Sequence, residues 1–154
     1  IAGFLASMLS AFAEQNNLGV VLSAPVQMKL ARSGREPDLL FVARAHLDRL
    51  RETHLDGPAD LAVEVVSPES VGRDRGEKFY EYEQAGLPEY WLVDPQRERA
   101  EFYQLQGDRY RLAFEGEEGE YRSPALPGFW LRVEWLWQEP LPRMVDVLRL
   151  LGLV

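Results

Sequence analysis

The sequence predicts an α/β domain with a mixed β-sheet, and three observations support that class. Two short apolar strands, Leu61 to Val66 and Tyr90 to Asp94, are separated by a charged, helix-forming stretch. The pattern then changes to strands joined by the turn Gln106-Gly107-Asp108, which is typical of an antiparallel hairpin. Finally, amphipathic helices are predicted at both ends of the chain.

The N-terminal elements are predicted to be one helix and two strands. Apolar residues recur at helical spacing from Ile1 to Phe12, and the helix should end near Asn16-Asn17-Leu18-Gly19. Val20 to Leu22 and Val26 to Arg32 then have the length and composition of strands. The second of these alternates apolar and polar residues, which indicates one buried face.

The middle of the chain is predicted to alternate strands and helices. Asp38 precedes the apolar strand Leu39 to Val42. A basic amphipathic helix is predicted around Ala45 to Thr53. After the second apolar strand, Ser70 can cap a helix that continues to about Ala85, where glycine and proline follow.

The C-terminal third is predicted to be mainly antiparallel. Ala100 to Leu105 and Arg109 to Phe114 form the hairpin, and a further strand lies near Phe129 to Val133. Residues 143–151 alternate as a terminal amphipathic helix. Residues 1–154 are therefore predicted to be a single domain, with the expectation of missing upstream residues because the sequence begins at Ile1.

Composition narrows the possible chemistry. The chain has no cysteine and only two histidines, so thiolate nucleophiles and Cys-ligated zinc are excluded and a His-rich site is disfavoured. Carboxylates remain, and they favour magnesium, manganese or calcium. The net charge of −8 argues weakly against nucleic acid, but positions 29–51 carry six basic and three acidic residues. No apolar run could span a bilayer, and we expect a cytoplasmic protein without membrane contact.

Glu64 interrupts an otherwise continuous apolar strand. Burying an unpaired carboxylate costs several kcal/mol, so this residue should be paired, protonated or bound to a cation. Strand alternation places Glu64 on one face with Asp60, Ala62 and Val66. Asp38 begins the other apolar strand. Two carboxylates on neighbouring strands could hold one divalent cation, while water and phosphate oxygens fill its remaining positions.

Asp74, Lys78 and Tyr82 are spaced four apart and share one face of the helix that follows the Glu64 strand. An ammonium beside a metal-bound phosphate would stabilise developing negative charge or orient a water. Three plainer interpretations stay open. Asp38, which follows Pro37, can be merely a turn or strand-end residue. Glu64 can be a core glutamate neutralised by Lys78 or an arginine, and the stripe can be ordinary pairing on a solvated helix face.

Together these motifs resemble the Uma-type family of restriction-endonuclease-like proteins, which is assigned to the PD-(D/E)XK nuclease superfamily. The resemblance covers about residues 19 to 135. The residues that carry it are Pro37-Asp38, Glu64-Val65-Val66-Ser67-Pro68, the stripe Asp74, Lys78 and Tyr82, and Gly86-Leu87-Pro88-Glu89-Tyr90-Trp91-Leu92-Val93-Asp94.

The resemblance implies a restriction-endonuclease-like mixed β-sheet flanked by helices, and hydrolysis of nucleic-acid phosphodiesters, with DNA the expected partner. It implies Mg²⁺ or Mn²⁺ and no organic cofactor. Asp38 and Glu64 match the catalytic metal carboxylates, and Val65 could offer its backbone carbonyl to the metal. The superfamily's lysine two positions after the glutamate is Val66 here.

Lys78 resembles the relocated lysine of this family, and the resemblance implies that it assists the attack of water. Tyr82 would support the position of Lys78 or of a phosphate. A second hypothesis, from another class, is a catalytically inactive nuclease-fold domain that serves as a nucleic-acid-binding or protein-interaction module. Metal dependence separates the two.

The segment from Phe129 to Trp137 predicts self-association. It concentrates more large apolar side chains than one strand can turn inward, and tryptophan is common at interfaces. We therefore expect a homodimer or larger homo-oligomer, which would suit cleavage of both strands of a duplex. The alternative is that the terminal helix 143–151 covers these rings within one subunit.

Overall fold

The computed structural model describes residues 1–154 and contains four α-helices, eleven strands and two 3₁₀ segments. The α-helices are α1 (Ala2–Gln15), α2 (Val71–Arg75), α3 (Glu77–Ala85) and α4 (Met144–Leu150). The strands are β1 (Gly19–Ser23), β2 (Gln27–Lys29), β3 (Gly34–Arg35), β4 (Leu39–Ala43), β5 (His54–Asp56), β6 (Leu61–Val65), β7 (Glu89–Asp94), β8 (Arg99–Gln106), β9 (Arg109–Gly116), β10 (Glu120–Arg122) and β11 (Trp130–Arg132). The 3₁₀ segments are Arg44–Arg49 and Val133–Trp137.

Six strands form the central sheet in the order β1-β4-β6-β7-β8-β9. Strands β6 and β7 are parallel and are connected through α2 and α3, whereas every other neighbouring pair in this sheet is antiparallel. Two small sheets, β3-β2-β5 and β10-β11, complete the fold. The predicted class, a mixed sheet flanked by helices, is therefore confirmed.

The two faces of the central sheet bury different cores. One face packs against α1 and α4 and contains 22 buried apolar residues, with Trp91 and Phe102 among the largest. The other face lies under α3 and contains 11 buried apolar residues, including Ala62, Val66 and Tyr82. Because Ala62 and Val66 share this face, the alternation predicted for the Glu64 strand is confirmed. The smaller core is the one that borders the candidate site.

The single helix predicted from Ser70 to Ala85 is instead two helices, α2 and α3, which meet at Gly76. The backbone of Gly76 has φ −106° and ψ −91°, which is outside the helical region. A Cβ atom at this position would lie 2.8 Å from the carbonyl oxygen of Gly72, so the break requires glycine. Helix α3 ends as predicted at Gly86, whose φ of 77° is left-handed.

Two other local predictions were wrong because tertiary pairing overrides local pattern. The helix expected from Ala45 to Thr53 is a 3₁₀ segment of six residues, after which the chain extends and Leu50 bridges to Leu55. The strand expected from Val26 to Arg32 is limited to β2. It pairs with β3 and β5 in a separate sheet, not with β1.

The apolar segment near the C-terminus is buried inside the chain. Phe129, Leu131 and Trp135 belong to the core beneath α1, and Val147 of α4 joins the same core. The exposed apolar surface that suggested an oligomer is therefore largely absent, and self-association remains a prediction without that support. None of the four helices has the length and hydrophobicity that a membrane crossing requires.

Candidate active site

Glu64 lies near the carboxyl-terminal end of β6, on the face of the sheet that α3 covers. The residue is only 3% exposed. Lys78 Nζ donates a hydrogen bond to Glu64 Oε2 at 3.1 Å, and Tyr82 OH donates to the same oxygen at 3.0 Å. Glu64 Oε1 accepts no hydrogen bond and is not fully enclosed. One carboxylate oxygen is thus held by two protein donors, and the other has no hydrogen-bond partner within the chain.

The surroundings of Glu64 place its titration near neutral pH. Burial raises the pKa of Glu64 to about 7, the Lys78 ammonium opposes this rise, and the charges of Asp74 and Asp38 add to it. Burial also lowers the pKa of Lys78, but Glu64 and Asp74 outweigh that effect, so the net shift is upward. Lys78 is therefore a firmly protonated ammonium at neutral pH.

Asp38 reaches the same location from the neighbouring strand. The antiparallel register pairs Leu39 with Val63, and one further step places Asp38 opposite Glu64 on the same face. Directly opposed residues of this kind have Cβ atoms about 5 Å apart. Asp38 Oδ2 accepts a hydrogen bond from the Val65 backbone N–H at 2.7 Å, which fixes the carboxylate against the end of β6.

Asp74 also belongs to the site. The sequence assigned it no role beyond sharing one helix face with Lys78 and Tyr82. It is 1% exposed, and its Oδ1 lies 3.0 Å from Lys78 Nζ as an ion pair without hydrogen-bond alignment. Its Oδ2 accepts a hydrogen bond from Ser70 Oγ at 2.8 Å. The four-residue spacing to Lys78 indicated this contact, but the burial of Asp74 depends on tertiary packing.

Tyr82 contacts the site differently from the prediction. Its side chain is fully buried, and its hydroxyl holds Glu64 instead of Lys78 or a phosphate. Burial and the nearby Glu64 charge raise the pKa of Tyr82 far above its usual range, so the phenol remains a hydrogen-bond donor. Tyr82 therefore positions the carboxylate and is too enclosed to touch a substrate.

The two valines after Glu64 occupy opposite faces. Val65 is half-buried and packs toward the core beneath α1, and its backbone N–H is engaged by Asp38. The role of the Val65 carbonyl as a metal ligand stays a prediction. Val66, in the position of the superfamily lysine, is buried in the core under α3. The cationic group of the site consequently comes from Lys78 on α3.

The donor set fits a hard divalent cation with few protein ligands. No group of three or more His, Cys, Asp or Glu side chains is arranged to enclose a metal. Magnesium, however, is usually held by one or two carboxylates, with water and substrate phosphates as its other ligands. Asp38 together with the open Oε1 of Glu64 would provide such a pair.

The fold is similar to that of a protein of known structure. A crystal structure from Anabaena variabilis ATCC 29413, described as "a putative nuclease belonging to DUF820", aligns with a TM-score of 0.72. The alignment covers 88% of this chain and 77% of that chain, at 13% sequence identity. Identity this low supports a common fold. It does not by itself carry the activity.

The sequence profile of the family Uma2, described as "Putative restriction endonuclease", matches residues 1–134. Since this match spans most of the chain, the protein belongs to the Uma2 family. Its membership of a restriction-endonuclease-like nuclease family agrees with the resemblance carried by the Asp38, Glu64 and Lys78 motifs. A search among curated proteins produced no match.

Proposed function

We propose that this chain is a Mg²⁺- or Mn²⁺-dependent endonuclease that hydrolyses phosphodiester bonds of nucleic acid, with DNA as the substrate. The observation that carries the proposal is the arrangement around Glu64. A buried carboxylate has one oxygen held by Lys78 and Tyr82 and the other oxygen open, and Asp38 lies opposite on the next strand. Family and fold support the same class.

Asp38 and Glu64 would hold the cation, which when bound supplies a Lewis acid and a water of lowered pKa. Tyr82 fixes the Glu64 carboxylate through its hydroxyl, so that Oε1 keeps its direction toward the ligand. Lys78 keeps its proton and carries positive charge beside the reacting phosphate, where it would stabilise the negative charge that develops during attack.

Asp74 has a distinct task in this scheme. It contacts the same ammonium that contacts Glu64, at 3.0 Å and 3.1 Å respectively. When Glu64 engages a cation, Asp74 would still hold Lys78 at the site. Asp74 is therefore a positioning residue for Lys78.

The test combines metal binding with cleavage. Wild-type protein should gain thermal stability when millimolar Mg²⁺ or Mn²⁺ is added, because a ligand that binds only the folded state stabilises it. It should also cut plasmid DNA in the presence of the metal. Glu64→Gln and Asp38→Asn should lose both properties, with cleavage reduced at least about a hundredfold. Glu115→Gln, on the exposed β9 strand, is the matched control.

The same assays separate this proposal from a catalytically inactive nuclease-fold module. If neither cation raises the melting temperature and no DNA or RNA is cut, the enzyme hypothesis is wrong. Binding of DNA without metal-dependent cleavage would then favour a nucleic-acid-binding role for the same fold.

A further inference from the structure

A cleft of about 370 Å³ lies between the turn that joins β2 to β3 and the outer side of α3. Leu30 and Ala85 contribute apolar walls, and Ser33 and Gln84 contribute hydrogen-bonding groups, with Tyr80 at the helix side. We infer that this cleft binds one unpaired nucleobase of a single-stranded nucleic acid. The inference rests on the proposed nuclease function and specifies the form of its substrate.

Tyr80 is the first reason for a nucleobase. Tyr80 is 62% exposed, and it is the one aromatic residue among the large hydrophobic residues that are exposed. Its hydroxyl makes no hydrogen bond within the chain, and its ring has no aromatic neighbour, unlike the ring of Phe79 beside it. An aromatic ring at the wall of a cleft offers a stacking surface for any base, because every base has a π-face.

Charge is the second reason. Arg32 lines the same cleft and takes part in no salt bridge. The two acidic groups beside it share one cationic partner, since Arg35 pairs with Glu81 at 2.6 Å and with Glu77 at 3.2 Å. Two arginines thus balance two glutamates on this surface, and the Arg32 guanidinium, which has no carboxylate partner, is available to a nucleotide phosphate although the chain carries a net charge of −8.

Gln84 supplies the polar edge that a base requires, and Ser33, whose hydroxyl donates to Glu81 Oε2 at 3.1 Å, can add only an acceptor. The Gln84 amide carries both a donor and an acceptor, and such a group can pair with the edge of an unstacked base. A base inside a duplex cannot present its face to Tyr80, because that face is covered by the adjacent base pairs. The cleft consequently fits a single strand or an extruded nucleotide.

The cleft and the candidate active site share α3. Lys78 and Tyr82 project from this helix toward Glu64, whereas Tyr80 lies about 200° around the helix from Lys78, on its outer side. Arg35 interacts with both regions. Its guanidinium donates a hydrogen bond to Glu81 at the cleft, and its positive charge acts electrostatically on Tyr82 at the candidate site. A base stacked on Tyr80 would therefore hold its strand on the outer side of α3, opposite the side that carries Lys78.

The binding experiment uses fluorescein-labelled single-stranded DNA and the same sequence as a duplex, with EDTA present so that no cleavage occurs. Replacing Tyr80 by Ala should weaken single-strand binding on the order of tenfold, as expected for one lost base stack. Tyr80→Phe should bind as wild type, and duplex binding should not change. Arg32→Ala should weaken binding and lower the salt slope by about one unit.

Arg111→Ala, an exposed arginine on β9 without a salt bridge, is the matched charge control and should bind as wild type. Equal binding of single strands by wild type and Tyr80→Ala would overturn the cleft assignment. Equal losses for single strand and duplex in Tyr80→Ala would also overturn it.

Cleavage assays on the same variants keep the two proposals distinguishable. If metal-dependent cleavage of single strands is normal in Tyr80→Ala, the nuclease proposal stands and the cleft assignment is wrong. If the wild type never cuts but Tyr80→Ala loses single-strand binding selectively, the cleft assignment stands and the nuclease proposal fails.

Discussion

Two buried glutamates on neighbouring strands show how differently one fold can treat the same side chain. Glu89 begins β7 and is 1% exposed, and Glu64 lies near the end of the parallel strand β6 at 3%. Burial raises the pKa of both carboxyl groups. The two residues differ in the partners that the protein provides for their oxygens.

Glu89 is fully satisfied by neutral donors. Its Oε2 accepts hydrogen bonds from Trp91 Nε1 at 2.6 Å and Tyr121 OH at 2.7 Å. Its Oε1 accepts from Ser123 Oγ at 2.8 Å and the Ala125 backbone N–H at 3.0 Å. Every hydrogen-bonding position is used internally, so Glu89 is a structural group that ties β7 to the C-terminal segment.

Glu64, in contrast, has one saturated oxygen and one open oxygen, and its partners include a charge that is shared with Asp74. Burial alone therefore does not distinguish a functional carboxylate from a structural one. The distinguishing feature is whether the protein itself supplies all the donors. Four predictions test this contrast, in order of decreasing effect.

The largest expected effect comes from removing the cation beside Glu64. Lys78→Met should cost about 3 kcal/mol of unfolding free energy at pH 8, because Glu64 and Asp74 would lose their shared ammonium inside the protein. The loss should shrink toward pH 5, since Glu64, whose pKa is raised to about 7 by burial, is then protonated and leaves less uncompensated charge. Urea unfolding at the two pH values measures it. A loss that does not depend on pH would contradict the electrostatic cause.

The next effect compares two Glu→Gln substitutions. Each oxygen of Glu89 accepts a hydrogen bond from one donor whose hydrogen has a fixed direction. These donors are Trp91 Nε1 for Oε2 and the Ala125 backbone N–H for Oε1. Either orientation of an amide would direct its NH₂ at one of them, so Glu89→Gln should cost about 2 kcal/mol. At position 64, both donors share Oε2, and the amide oxygen can take that place. Glu64→Gln should therefore change stability by less than about 1 kcal/mol at pH 6.

The pH dependence of Glu64→Gln follows from the raised pKa. The folded protein binds a proton at Glu64 more tightly than the unfolded chain does, because the pKa rises from 4.5 to about 7 on folding. Wild-type stability should therefore fall relative to Glu64→Gln as pH rises from about 5 to 8, by roughly 1–3 kcal/mol. Equal pH profiles for the two proteins would show that Glu64 does not titrate abnormally.

The smallest effect tests the two tyrosine donors. Tyr82→Phe removes one of two donors to Glu64, and Tyr121→Phe removes one of four donors to Glu89. Each should cost about 1 kcal/mol, the typical net value of one hydrogen bond. The contrast should appear in metal binding, which Tyr82→Phe weakens and Tyr121→Phe leaves unchanged. Calorimetric titration with Mn²⁺ compares them, and equal affinities would contradict a positioning role for Tyr82.

The sequence predicted more of the Glu64 site than of the Glu89 network. Glu64 interrupts an apolar run, and the spacing of Asp74, Lys78 and Tyr82 puts these three on one face despite the break at Gly76. Glu89 stands beside Pro88 at the start of its strand, where a carboxylate is unremarkable. Its donors lie up to 36 residues away, so no local pattern reveals them.

The remaining errors also arose where long-range contacts determine structure. The segment after Arg44 has helical composition, but His54–Asp56 pairs with β2 and leaves room for only a short 3₁₀ segment. The apolar segment near the C-terminus lies beneath α1, which the sequence alone does not show, and self-association stays a prediction without the exposed apolar surface that suggested it. Local periodicity identifies elements. It does not identify what covers them.

The site residues from Asp38 to Tyr82 form one contiguous part of the chain, while the Glu89 network and most of the larger core use other residues. Selection can consequently act on the two separately. A lineage could replace Glu64 by Gln, which is expected to change stability by less than about 1 kcal/mol, and still inherit a folded protein, so loss of the proposed chemistry need not be accompanied by loss of the gene product. Family members of this kind would keep the fold and could acquire a binding function in place of the proposed activity.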